Sequence, residues 1–302
     1  MPKKFINIHI PAFFTEKTIY KSISKILSKN NFLEDIVLLN IDLTSLKTID
    51  IIGITALSNL IEWVRLYNIQ VNFSYDKENI TRLLEESGFI KRYIKTDNLF
   101  FKKWHILAIE VVRTEEVVKH LSYRIVPWFL DCLEKETQQK NLCSYQLSSI
   151  QTALQEIFNN INDHSFSKIA CYCGYYDAQQ RIFKLCISDF GIGIPSKIIN
   201  LNPTLTDSQA IEKACENGYT TKSTPNNMGA GLDILLKNKV IANKGALTIY
   251  SLKGAFSARF YEGKVIQLPQ IERENNIFPG TMIIMEYPID RIQLDEVQEF
   301  SW

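Results

Sequence analysis

Two strand-like runs, Ile169 to Tyr176 and Ile182 to Ser188, stand close enough to pair as a hairpin, and two long helical stretches, Glu115 to Glu136 and Tyr145 to His164, precede them. Further strand-like runs follow at Leu247 to Ser251, Phe256 to Tyr261 and Thr281 to Tyr287, with a helical stretch at Gly231 to Ala242. Helices that gather early and strands that pair in hairpins predict an α+β arrangement, a mixed sheet with helices on one face. The first hundred residues alternate instead. Phe5 to Ile10, Ile36 to Ile41 and Val71 to Tyr75 read as strands. Glu16 to Ser28, an amphipathic Ile54 to Tyr67, and Glu78 to Ser87 closed by Gly88 read as helices. That pattern predicts a small α/β unit. The polar Lys95 to Asn98 interrupts it before a new strand at Trp104 to Val112, so the expected division is 1–97 and 98–302. A chain of 302 residues is long enough for two cores.

Composition narrows the class of partner. Lys and Arg number 34 against 33 for Asp and Glu, so there is no electrostatic reason to expect nucleic acid or an acidic membrane. The N-terminal apolar stretch is broken by Asn7, His9 and Pro11 and fails as a signal peptide. No run approaches the roughly 18 apolar residues of a membrane helix. A cytoplasmic protein is expected, with its six cysteines reduced. Cys171 and Cys173 alternate onto one face of a strand without further metal ligands nearby, and read as buried thiols.

Chemistry concentrates in three places. In the helix that ends QEIFNNINDHS, Ile150, Leu154, Ile157 and Ile161 form a core-facing stripe. Beside it Glu156, Asn160 and His164 are spaced by four, with Asp163 three after Asn160. A carboxylate one turn before an amide suits Mg·ATP: the Asn oxygen ligates Mg²⁺ while the Glu handles a proton. A solvated helix face gives the same spacing. The second place is the turn Asp189-Phe190-Gly191-Ile192-Gly193 at a strand's end. There Asp189 can accept from the exocyclic amine of adenine and the glycines admit close backbone approach, although a surface turn also fits. The third is Gly229-Ala230-Gly231-Leu232, which opens a helix and can present backbone N–H groups to phosphate, or can be an ordinary helix entry. Before it, residues 208–228 read as a mobile lid, with Thr221 and Lys222 as candidate phosphate contacts. The motifs of P-loop, dinucleotide-binding and protein-kinase chains are absent.

Together ExxxNxxDH (Glu156 to His164), DxGxG (Asp189 to Gly193), GxGL (Gly229 to Leu232) and the late Gly280-Thr281 strand resemble the GHKL superfamily of gyrase B, heat-shock chaperones, histidine kinases and MutL. The resemblance covers roughly residues 99–288 and implies the Bergerat fold, a two-layer α/β sandwich holding ATP and Mg²⁺. It implies Glu156 as catalytic base, Asn160 as Mg²⁺ ligand, Asp189 as adenine reader and Thr281 as a second adenine-side contact. Ile161 departs from the small residue the family often has. Residues 1–95, with LLNIDLTSLKTIDIIGITALSNLIEWVRLYNIQVNFS and NITRLLEESGFIKRYI, resemble the STAS fold of anti-sigma-factor antagonists. The phosphorylatable DSSG turn of that family reads Asp50-Ile51-Ile52-Gly53, without a hydroxyl, and Thr55 is a poor substitute. Docking or scaffolding fits better than a phosphorylation switch.

Three outputs follow from such a site. The leading expectation is a regulatory protein whose Mg·ATP binding and slow hydrolysis control engagement of a protein partner. The others are a serine/threonine kinase of anti-sigma-factor type acting on a STAS-like partner, and a non-catalytic nucleotide sensor. A homodimer stays open. No following domain is expected to lend a phosphate-contacting lysine, and His120, the sole candidate phosphoacceptor, reads as structural, as do His9 and His105.

Overall fold

The structure is a computed structural model, and it describes residues 4–29, 36–76, 81–94, 103–164, 169–216, 232, 242–268 and 277–296. Helices intervene between the first strands, and strands separated by crossovers run parallel. Accordingly β1 (Lys4–His9), β3 (Ile36–Asp42) and β5 (Gln70–Ser74) form a parallel sheet in the order β1-β3-β5. The two-residue β2 (Phe13–Phe14) and β4 (Thr48–Ile49) pair beside it. The crossovers carry α1 (Ile19–Lys29) and α2 (Ile51–Arg65), α3 (Arg82–Glu86) follows β5, and Gly88 after α3 takes the left-handed φ of 77° expected of its capping position.

Asp50 starts α2. One carboxyl oxygen accepts from the N–H of Gly53 at 2.9 Å, and the other accepts from the N–H of Glu16 at 2.8 Å. The sequence predicts an amphipathic helix, yet from Ile51 to Ile61 every residue is buried, Thr55, Ser58 and Asn59 included. The reason is that α2 has two partners. It packs on the parallel sheet, and its other side lies on β7 and β8 of a second, larger sheet.

That second sheet has seven strands in the order β11-β10-β9-β12-β8-β7-β6. They are β6 (Ile106–Arg113), β7 (Ile169–Asp177), β8 (Ile182–Asp189), β9 (Ala246–Leu252), β10 (Gly254–Tyr261), β11 (Lys264–Leu268) and β12 (Phe278–Pro288). Class α/β holds. Within the class, the expected mixed sheet is corrected: each described pair of the large sheet is antiparallel, and the parallel pairs belong to the β1-β3-β5 sheet and to the β2-β4 pair beside it. Short hairpins reverse direction from β7 to β8 and from β9 to β11, and β12 returns between β8 and β9, antiparallel to both, so the crossover through α7 and α8 creates no parallel neighbour.

Helices cover the large sheet on one face: α4 (Val117–His120), α5 (Val126–Thr137), α6 (Ser148–His164), α7 (Ile194–Leu201) and α8 (Asp207–Ala214). The predicted single helix from Glu115 to Glu136 changes type on its way. A 3₁₀ turn leads into α4, a π turn spans Leu121–Ile125, and α5 follows. Pro127 at the start of α5 has no N–H to give to the preceding turn, which accounts for the local rewinding. Strand alternation then sorts the core. Tyr172, Phe183, Leu185, Ile187, Ile283 and Met285 meet the covering helices, whereas Cys171, Cys173, Cys186, Met282 and Ile284 meet α2 and its neighbours. Helices therefore cover both faces, where one was expected. The expected boundary at 97/98 falls among residues 95–102, outside the described residues, with the small sheet before it and the large sheet after it. Among the described residues no helix is long and apolar enough to cross a membrane.

Candidate functional site

β8 ends in Ser188 and Asp189, and the chain turns through Phe190, Gly191, Ile192 and Gly193 into α7, where Pro195 occupies the first turn and needs no N–H partner. In the antiparallel ladder Asp189 stands opposite Thr281. Its carboxyl is buried and accepts from the backbone N–H groups of Gly191 and Thr281. Burial outweighs those two donors and pushes its pKa up to about 7. A carboxyl held at the edge of ionisation can receive an amine donor with a large gain in charge-assisted bonding.

Glycine is required beside it. Gly280 has a φ of 74°, and a Cβ there would lie 2.3 Å from both the carbonyl oxygen of Asp189 and the nitrogen of Gly191. Gly193, at a φ of 80°, would place a Cβ 2.8 Å from Cγ of Leu252. These close approaches lock the turn onto β12 and β9. Ser251 completes the lock. Its hydroxyl donates to the carbonyl of Gly280 at 2.7 Å and accepts from the N–H of Ile194 at 3.0 Å, and it lies 3.2 Å from the hydroxyl of Thr281. Behind them Ser188 donates to the carbonyl of Thr281 at 3.2 Å and accepts from the side-chain amide of Asn59 in α2 at 3.1 Å. Sequence reasoning missed Ser188, Ser251 and Asn59. The available signal was a polar side chain inside an otherwise apolar strand or helix, which needs a buried partner.

The apolar stripe of α6 is as expected, with Ile150, Leu154, Ile157 and Ile161 all in the core. Ile161, the departure from the GHKL pattern, is buried there without displacing the helix from the sheet. Glu156 and Asn160 lie at its half-buried edge, and Glu156 accepts from the amide of Asn159 at 3.4 Å. Asp163 and His164 close the same helix, but their side chains lie outside the described residues. Thr221, Lys222, Gly229 and Gly231 also lie outside them, while Leu232 is buried in the cluster that holds Ile157, Ile161 and Ile187. The structure thus brings together Asp189, Gly191, Gly193 and Thr281, and sets the polar edge of α6 on the helix-covered face of the same sheet.

Residues 208–228 begin differently from the expected lid. Ser208 to Ala214 belong to α8, capped by Thr206, whose hydroxyl accepts from the N–H of Gln209. Ser208, Ala210 and Ile211 are buried, and the hydroxyl of Ser208 accepts from the N–H of Ala255 at 3.2 Å. Apolar burial and a capping box make this first part a fixed helix; residues 217–228 are outside the described residues.

Among the described residues no three His, Cys, Asp or Glu side chains converge on a metal site. The donor that the sequence offers is the neutral, half-buried amide of Asn160. That suits Mg²⁺, which fills its octahedron largely with phosphate oxygens and water, and does not suit zinc. All six cysteines are free, and burial pushes the thiol of Cys171 up to about 12. Thr55 is fully buried and donates to the carbonyl of Ile51, so no modifying enzyme reaches it in the folded chain. His120 is half-buried with Nδ1 2.9 Å from the hydroxyl of Tyr172, a packing contact beneath α4.

No family model matches the chain, and no curated protein matches it. Among solved structures it is similar to the ATP-binding domain of Francisella tularensis topoisomerase IV in complex with a small-molecule inhibitor, at 12% identity and a TM-score of 0.26. The match covers 64% of this chain and 46% of that one, so the chain spans about half the length of that structure. A superposition this loose carries no weight for activity.

Proposed function

We propose that this chain binds ATP with Mg²⁺, adenine lying against Asp189, Gly191, Gly193 and Thr281 and the phosphates running toward α6 and the segment that opens at Gly229. The observation that carries the reading is the buried carboxyl of Asp189, aimed from a strand end into a turn where Gly280 and Gly193 tolerate no side chain. The order of the GHKL-like boxes supports it. In this reading Asp189 accepts from the exocyclic amine of adenine, and Thr281 contributes a second polar contact from the neighbouring strand. Asn160 holds Mg²⁺, whose contribution when bound is neutralisation of phosphate charge. Glu156, one turn earlier on the same edge, orients and deprotonates water. Asp163, His164, Thr221, Lys222, Gly231 and Leu232 complete the phosphate side.

The output we propose is regulatory: slow hydrolysis alters how the chain engages a protein partner, with the N-terminal unit as a STAS-like scaffold. Calorimetry with ATP and Mg²⁺ tests the binding directly, and absence of a saturable signal overturns it. Glu156→Ala is expected to retain ATP while losing phosphate release, and Asn160→Ala to lose the Mg²⁺-dependent part of the affinity. Pulldown from the native host with and without ATP tests the partner.

A further inference from the structure

The N-terminal unit touches the Asp189–Gly193 turn from behind at two points, each next in sequence to Asp189, and at a third it holds Leu252, which packs on Gly193. Asn59 donates to Ser188, next to Asp189. Trp63 sets its ring edge-on against Phe190, between Asp189 and Gly191, with centroids 5.8 Å apart. The hydroxyl of Tyr20 donates to the carbonyl of Leu252, the residue whose side chain fills the space over Gly193. Asn59 is the polar one of the two α2 contacts and is almost completely buried.

Packing alone does not explain an amide at this position. Most of the surrounding interface is apolar, Thr55 and Ser58 being the other buried polar side chains of α2, and a buried amide costs free energy unless its partners are fixed. The partners form a directed chain: Asn59 to Ser188, Ser188 to the carbonyl of Thr281, and the N–H of Thr281 to the Asp189 carboxyl. Each hydroxyl proton is used once, so the chain has one satisfied sense and fixes the register of α2 against β8 and β12.

We infer that Asn59 is a positioning residue for the nucleotide site: through Ser188 and Thr281 it holds the Asp189 carboxyl where adenine is read. The N-terminal unit is then the rear wall of that site. This rests on the ATP reading for its ligand, but the positioning of Thr281 and Asp189 can be measured without one.

The test compares Asn59→Leu, Ser188→Ala and a control, Ser58→Ala, in the full chain. Ser58 is buried in the same helix, but its hydroxyl engages Tyr93 and the thiol of Cys171 on β7, and bonds neither Ser188, Thr281 nor the turn. In nucleotide-free protein, amide exchange at Gly191 and Thr281 is expected to quicken about 5- to 10-fold in the first two variants, the scale of one lost hydrogen bond, and to stay unchanged in the control. With nucleotide, the preference for ATP over GTP is expected to narrow in the first two variants alone. A merely structural role for Asn59 would lower stability and leave both readouts in place. Unchanged exchange at Gly191 and Thr281 in the two variants overturns the positioning role. Faster exchange in a protein that binds no ATP supports that role and overturns the ATP reading instead. Where Asn59→Leu fails to fold, Ser188→Ala severs the same chain with a smaller change of volume.

Discussion

If ATP binds as proposed, Asp189 couples that binding to pH. Its pKa of about 7 stands above the ordinary carboxylate range because burial disfavours the charge. An amine donor favours the ionised form, so binding draws the carboxyl toward ionisation and releases a proton. ATP affinity is expected to rise between about pH 6 and about pH 8. Calorimetry in buffers of different ionisation enthalpy would register the proton, and Asp189→Asn would abolish both effects. Stability runs the other way. Between the unfolded carboxyl value, about 4, and about 7 the folded chain binds more protons at Asp189 than the unfolded chain does, so this group's contribution falls as pH rises through that window. His105 and His120, whose pKa values burial lowers, contribute with the opposite sign in the acid part of the range. The wild-type minus Asp189→Asn difference in urea-unfolding free energy isolates the carboxyl, and a difference independent of pH would contradict its burial. Gly280→Ala meets backbone atoms rather than a movable side chain. It is expected to cost upwards of about 2 kcal/mol in urea unfolding and to abolish ATP binding.

At the scale of elements, α2 and α8 show where a sequence can be read and where it falls short. The stripe Ile150-Leu154-Ile157-Ile161 was readable because α6 has one apolar partner, and the Asp189–Gly193 turn because its glycines answer to local backbone geometry. By contrast α2 has two partners, and periodicity reports one apolar face without saying what covers the other. An amphipathic helix does not anticipate that its polar Ser58 and Asn59 are both buried. The lid reading rests on the Asn, Thr, Ser and Pro of residues 208–228 as a whole, whereas the first of them, Ser208 to Ala214, lie in α8, capped by Thr206 just ahead of the stretch. Thr206→Ala removes the cap and is expected to cost about 1 kcal/mol in urea unfolding. Leu57→Ala, in the middle of α2, should cost about 2–5 kcal/mol because neither sheet can collapse into the space alone.

The whole molecule joins its sheets through one apolar cluster that runs from Ile8 and Leu39 through α2 to Cys171, Met282 and Ile284. Two sheets sharing a helix should lose structure together. A single thermal transition is expected, coincident by far-UV circular dichroism and tryptophan fluorescence, and two separated transitions would show that the sheets melt apart. The two units we propose are on this view distinct in topology and joined in energetics. The layer of α2 also conceals three thiols, those of Cys171, Cys173 and Cys186, whose burial keeps them protonated, while Cys143 lies exposed. Alkylating reagents accordingly meet a clock. Cys143 reacts at once, and the hidden three react only as often as the N-terminal unit lifts from the sheet, so their labelling rate reports how frequently the molecule comes open.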